Sequence, residues 1–148
     1  MQPPKPADLA AESTRQWWAC PGVVYFLGVG DPIVAVKIGM LAVTQHLTLE
    51  SALRRRLSQI QTSNHEPIHV LGVIHFGEGD YPTREAEIRE RELHIEFEHL
   101  ARFKTGTKGA EWFHCSPELL TKIHEISTSP EDLGLPQCIA LVADRAEV

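Results

Sequence analysis

Residues 23–39 read VVYFLGVGDPIVAVKIG, and their pattern decides the fold. Val23-Val24-Tyr25-Phe26-Leu27 is dense in β-branched and aromatic residues, the composition that suits a pleated, half-buried surface. Gly28, Gly30, Asp31 and Pro32 mark a turn. A second strand is predicted over Ile33-Val34-Ala35-Val36-Lys37-Ile38-Gly39. Two such runs joined by a short Gly/Asp/Pro turn form a hairpin. Both are apolar at nearly every position, so the hairpin is expected to be covered on both faces.

Downstream, residues 40–48 are read as a loop with room for a turn of helix. Thr48 caps a helix predicted over 49–61, whose apolar stripe is Leu49, Leu53, Leu57 and Ile60. Of its three consecutive arginines, Arg55 points outward, Arg54 lies to one side, and Arg56 borders the stripe, where it can reach a neighbouring element. A solvated charged face is the plainer reading of all three. A turn over 62–67 leads into a third strand, Ile68 to Phe76. Residues 83–103, TREAEIRERELHIEFEHLARF, form the longest helical run. At about 100° per residue, Ala86, Leu93, Phe97, Leu100 and Ala101 share one apolar stripe, and Glu90 falls inside it. Glu85, Glu87, Glu92, Glu96 and Glu98 are set on the other sides. An acid on the core side of a helix must be paired, bound to a cation or facing a cleft, because burying it alone is costly.

The exit of that helix, Lys104 to Gly109, reads as a loop, and Glu111 to Cys115 as a short extended segment. Ser116-Pro117 supplies an N-cap and first helical position for a last helix over 117–126. The order hairpin, helix, strand, long helix, short strand, helix predicts an α+β domain over 22–126. Its core is a small, mainly antiparallel, three-stranded sheet flanked by helices. Residues 1–21 form a lead-in, proline-rich at first and then helical from Asp8 to Trp18, with Trp17 and Trp18 as a lid over the core. Residues 127–148 form a tail whose apolar run, Cys138 to Ala143, offers an edge strand, a docking segment or a homodimer contact.

The chain of 148 residues has room for one such domain. Its 43% hydrophobic and 23% charged content is ordinary for a globular protein. No apolar run approaches the length of a membrane span, the N-terminus lacks the pattern of a secretory signal, and three cysteines without CxxC spacing point to a reduced, cytoplasmic protein. A net charge of −6 excludes a surface coated in positive charge, so any nucleic-acid contact must come from a local patch. The available cations are Arg54 to Arg56 and the stretch from Arg102 to Lys108, which holds Lys104 and Lys108. A zinc module is disfavoured, since His94 and His99 are five apart and His114 and Cys115 are adjacent, neither a good pair for one metal.

Four separated pieces resemble one family. The strands Val23 to Leu27 and Val36-Lys37-Ile38-Gly39 look like the paired strands of the GIY-YIG nuclease superfamily. Arg56-Leu57-Ser58-Gln59-Ile60-Gln61-Thr62 is similar to the Arg-Leu-x-x-Leu-Gln-Thr run of its phage-type open-reading-frame branch. Glu90 to Phe97 resembles that branch's Glu-x-x-Leu-His-x-x-Phe, and Glu111-Trp112-Phe113 its closing Glu-(Trp/Phe)-Phe. The resemblance spans about residues 22–126, in the right order.

The resemblance implies a metal-dependent phosphodiester hydrolase acting on double- or single-stranded DNA. Tyr25 is then the first-strand tyrosine, and Lys37 stands where the second-strand tyrosine is usual, a variant seen in the phage-type branch. Arg56 matches the catalytic arginine and Glu90 the metal-binding glutamate, holding one Mg²⁺ or Mn²⁺. His94, one turn after Glu90, would assist or pack. Arg54, Arg55, Lys104, Lys108 and Glu111 are candidate substrate contacts. The alternative is a catalytically silent module of the same fold that binds nucleic acid or a partner protein.

Overall fold

The computed structural model describes residues 11–103 and 111–134. In chain order the elements are helix α1 (Glu12–Trp18), strands β1 (Gly22–Val29) and β2 (Ala35–Ala42), helix α2 (Leu49–Thr62), strand β3 (Ile68–Phe76), helix α3 (Pro82–Glu96) with a 3₁₀ turn over Glu98–Leu100, strand β4 (Trp112–His114) and helix α4 (Pro117–Ile126). The class is α+β, as expected. The sheet is four-stranded rather than three-stranded, with the order β3-β1-β2-β4 and antiparallel pairing throughout. The extra strand is the short extended segment after the loop, which pairs Trp112, Phe113 and His114 with Lys37, Val36 and Ala35.

β1 is central and every one of its residues is buried, so the expectation of cover on both faces holds. Alternation assigns its side chains to two cores. Val23, Tyr25, Leu27 and Val29 join Ala52, Leu53 and Leu57 of α2 on one face. Val24 and Phe26 join Ala86, Leu93 and Phe97 of the α3 region and Leu119 and Ile123 of α4 on the other. One residue of β3, Leu71, is extra in the pairing with β1, which shifts register between Phe26 and Leu27.

The predicted element edges move at several places, the largest shift being the long helix expected over 83–103, which ends at Glu96 and passes into the 3₁₀ turn. β2 begins at Ala35, not Ile33, because Ile33 and Val34 belong to the turn: Val34 is exposed, and Ile33 packs its side chain against Gly28. It runs on through Met40, Leu41 and Ala42, so the first residues of the expected 40–48 loop are strand. α1 begins at Glu12, because Ala11 before it is extended, so the helix expected from Asp8 does not run unbroken to Trp18; Asp8 itself lies outside the described residues.

The local signals for α2 and α4 act as read. Thr48 Oγ1 accepts from Ser51 N, and Ser51 Oγ accepts in return from Thr48 N, a reciprocal cap that satisfies two orphan donors of the first turn. Ser116 Oγ accepts from Leu119 N at the start of α4. Gln61 at the end of α2 accepts from Ile68 N and donates to Asn64 O and Glu66 O. One amide thereby closes the turn into β3 and fixes α2 against the sheet.

The tail boundary also shifts. Thr128 exchanges two backbone hydrogen bonds with Val73 at the outer side of β3, and Leu133 packs on the α2-side core. The described start of the tail, 127–134, therefore docks on the body. The apolar run from Cys138 to Ala143 lies outside the described residues. No helix among the described residues is long and apolar enough to cross a membrane.

Candidate active site at the edge of strand β2

β4 covers β2 only from Ala35 to Lys37, and Ile38 N then donates to Glu111 O. From there β2 presents an edge to side chains. Residues two apart on a strand turn their backbone groups to the same side, and the carbonyls of Ile38 and Met40 both find partners there. His94 of α3 donates from Nε2 to Ile38 O at 2.8 Å, and Arg56 of α2 donates from Nη1 to Met40 O at 3.2 Å. Two helices packed on opposite faces of the sheet thus reach the same strand edge.

Arg56 also donates from Nη1 to Tyr25 Oη at 3.0 Å, with its guanidinium against the phenol ring. The ring crosses β2 directly at Gly39. A Cβ built there would fall 2.5 Å from Tyr25 Oη, so the glycine of the Lys-Ile-Gly run is the space the tyrosine occupies. Both recorded partners of Arg56 are uncharged, and no carboxylate pairs with it among the described residues. Its positive charge is fixed in place and left for an anion.

Lys37, beside Tyr25 on the same face, forms an ion pair with Glu111 and lies over the Trp112 ring. Tyr25, Lys37, Arg56, Glu111, Trp112 and Asn64 line one groove of about 320 Å³. Burial raises the Tyr25 phenol, and the opposing pull of Arg56 does not overcome it. Tyr25 therefore stays a phenol at neutral pH. It is a hydroxyl that accepts from Arg56 and keeps its own proton to donate.

Glu90 is not in that groove. It lines an adjacent cavity of about 340 Å³ with Glu87, Arg91, His94 and Glu98, and its side chain is a quarter exposed. It is neither sealed under apolar groups nor in a close ion pair; His94 Nε2 stands 4.0 Å away. Burial and then the charge of Glu111 push the Glu90 carboxyl up to about 7, with Glu87 adding and Lys37 opposing. The groove and the cavity are thus separate concavities sharing one field, since Lys37 and Glu111 of the groove act on Glu90 in the cavity. Glu87 and Glu98 do not point away as expected. Glu87 precedes Glu90 by three residues, only about 60° around the helix, and Glu98 lies in the 3₁₀ turn, where the α-helical step no longer applies.

The remaining candidates separate. A carbonyl only accepts, so His94 carries its proton on Nε2 and that nitrogen has no lone pair to offer; the ring also packs edge-on against Phe113. His94 holds α3 to the strand rather than serving as a base at that atom. Arg55 borders the same shallow surface as Arg56, whereas Arg54 lines neither that surface nor the groove and pairs with Glu50 at 3.7 Å. Glu111, expected to contact substrate, is the partner of Lys37, and its carboxylate would repel a phosphate. Lys104 and Lys108 lie outside the described residues. Trp112, Asn64 and Gln59 line the groove without having been singled out for it. Trp112 stands in the quoted Glu111-Trp112-Phe113 run and Gln59 one turn after Arg56 on α2, which are the sequence signals for those two; Asn64 had none.

No group of three His, Cys, Asp or Glu side chains converges as metal ligands among the described residues. A hard divalent cation still fits Glu90. Mg²⁺ keeps several waters and takes one or two carboxylates together with substrate phosphate oxygens, and Glu90 is an accessible carboxyl whose proton is retained largely through burial and neighbouring negative charge. No family model, curated protein or solved structure matches the chain.

Proposed function

We propose that the chain is a metal-dependent endonuclease or nickase of the GIY-YIG type, hydrolysing DNA phosphodiester bonds. The observation that carries this reading is the convergence of Tyr25, Lys37 and Arg56, from β1, β2 and α2, on one groove, with Arg56 lacking a carboxylate partner. Phosphodiester cleavage adds negative charge to the phosphate in its transition state. Arg56, held from behind by Met40 O and Tyr25 Oη, presents its remaining N–H groups to that charge. Tyr25 donates its hydroxyl proton to a phosphate oxygen or to the attacking water, orienting it without deprotonation. Lys37 supplies a second positive charge once the phosphate competes for it with Glu111. Glu90, aided by Glu87, would hold one Mg²⁺ or Mn²⁺, which supplies Lewis-acid stabilisation of the leaving oxygen. His94 keeps α3, and with it Glu90, against β2.

The test is cleavage of supercoiled plasmid and single-stranded DNA with Mg²⁺ or Mn²⁺ by wild type, Arg56→Ala and Glu90→Gln. Metal-dependent nicking that both substitutions abolish supports the reading. Intact DNA under every metal condition defeats it, and cleavage that survives Glu90→Gln moves the metal site elsewhere. The separation of Glu90 from the groove favours a second reading, a module of the same fold that binds nucleic acid without cutting it. That reading is met by Arg56-dependent DNA binding in chelator, with no cleavage when metal is restored.

A further inference from the structure

Beside the Arg56 groove lies a smaller pocket of about 200 Å³, formed by Val29, Ala35, Asn64, Arg102, Phe103 and Trp112. It sits at the hairpin end of β1 and β2. Its outer wall is held in place where Arg102 N donates to Trp112 O and Ala101 bridges to Phe113. Its floor is apolar, with Ala35 2% and Val29 9% exposed, while Phe103 on the rim is 49% exposed. Two aromatic side chains, an amide and a guanidinium thus surround an apolar floor. The pocket borders the groove, because Asn64 and Trp112 line both.

We infer that this pocket receives one unpaired nucleobase of the strand whose phosphate lies on Arg56. The inference rests on the proposed nucleic-acid function and names the form of its substrate. The volume is below the roughly 300–1,000 Å³ that drug-sized ligands occupy and suits a single heterocycle. Aromatic faces hold bases irrespective of sequence. Asn64 uses an Nδ2 hydrogen on Ile60 O, which leaves the rest of its amide for a base edge. Arg102 adds a positive charge to the pocket lining, toward which a neighbouring phosphate is drawn. A base still stacked in a duplex cannot enter, so the pocket selects single-stranded DNA or a nucleotide turned out of the helix.

The experiment measures binding of fluorescent octathymidylate and of an abasic oligomer of the same length and charge, in chelator at low ionic strength, by anisotropy. Wild type is compared with Phe103→Ser, Trp112→Leu and Arg56→Ala, with thermal melts confirming that each folds. Phe103 is half exposed, so its substitution keeps the test valid should Trp112→Leu fail to fold. The expected result is octathymidylate binding about 5- to 100-fold tighter than the abasic oligomer. Phe103→Ser should remove most of that preference, and Arg56→Ala should weaken both oligomers. Equal binding of the two oligomers with the Arg56 dependence intact overturns the base pocket and leaves the nuclease reading standing. Binding that Arg56→Ala does not change for either oligomer overturns that reading, and the pocket's role with it.

Discussion

Arg56 donates to Tyr25 Oη at 3.0 Å across the interface between α2 and β1, and the same Nη1 reaches Met40 O on β2. One guanidinium thus ties a helix to both strands of the hairpin while no described carboxylate forms an ion pair with it. The fork needs its planar geometry for this, because a lysine ammonium cannot hold two fixed acceptors and still present a flat set of donors outward. Arg56→Lys is therefore expected to retain the fold yet lose DNA cleavage nearly as fully as Arg56→Ala, by about 10²- to 10³-fold, the scale for removing one transition-state donor. Steady-state nicking rates on plasmid check this; full activity in Arg56→Lys would reduce the residue to a point charge.

Glu90 gives stability a pH dependence of definite sign. Its carboxyl titrates near 7 in the folded protein against 4.5 for an unperturbed glutamate. Between those values the folded state binds more protons than the unfolded one, so stability falls as pH rises. The contribution is fully present below about 4.5 and lost as pH passes 7, with an upper bound on the order of 3 kcal/mol. Glu90→Gln, which keeps the shape and removes the charge, should melt higher than wild type at pH 8.5 and close to it at pH 4.5. Added Mg²⁺ should raise the wild-type melting temperature at pH 8.5 and leave that of Glu90→Gln unchanged. A variant less stable than wild type at both pH values would show Glu90 to be held by an attractive partner instead.

Gly39 carries no chemistry, yet its substitution should disable the site. An alanine Cβ would stand 2.5 Å from both Cζ and Oη of Tyr25, whose ring is 1% exposed and fixed by Arg56. Relief requires the ring to move, at a cost of about 1–3 kcal/mol for overpacking, and takes the phenol away from Arg56. Tyr25→Leu in the Gly39→Ala background removes the clashing atoms, so the two substitutions should be strongly non-additive in stability. Additive melting shifts would mean that the ring does not occupy that space.

Much of this arrangement can be read from the chain, and the residues show where reading stops. Thr48 and Ser116 announce helix starts through local hydrogen bonding and Pro117 through its fixed φ, and the nearly continuous apolar runs of β1 and β2 announce burial on both faces. β4 announces itself as a short strand but not as the partner of β2 in the sheet. It is three residues long, and its partner Lys37 precedes Trp112 by far more chain than any local pattern spans. The ion pair of Lys37 with Glu111 is hidden for the same reason, and with it the change of Glu111 from substrate contact to lysine partner. Glu90 reads correctly as an acid on the inward side of α3, but a helical projection cannot say which of two neighbouring concavities it faces. That follows from Phe113 and the 3₁₀ turn, which wall off its cavity with Ala101.

Glu111 connects the two concavities, and one substitution there should move both. Its carboxylate pairs with Lys37, whose side chain is 11% exposed, and its charge is the second cause, after burial, that raises Glu90. Glu111→Gln keeps a hydrogen-bond acceptor for Lys37 and removes the negative charge. Lys37 then loses its counter-ion, so the groove becomes more positive, and DNA affinity in chelator should rise with a steeper dependence on salt. Glu90 loses a repulsive neighbour at the same time, so its carboxyl should titrate below its wild-type value. A carbon-detected NMR titration of the side-chain carboxyl reads that directly. The two effects have one cause but separate readouts. A Glu90 titration that does not move, alongside tighter DNA binding, would mean that Glu111 acts on the groove alone and that the two concavities do not share a field. Unchanged affinity with a downward Glu90 shift would place Lys37 outside the phosphate path, leaving Arg56 as the cation that meets the substrate.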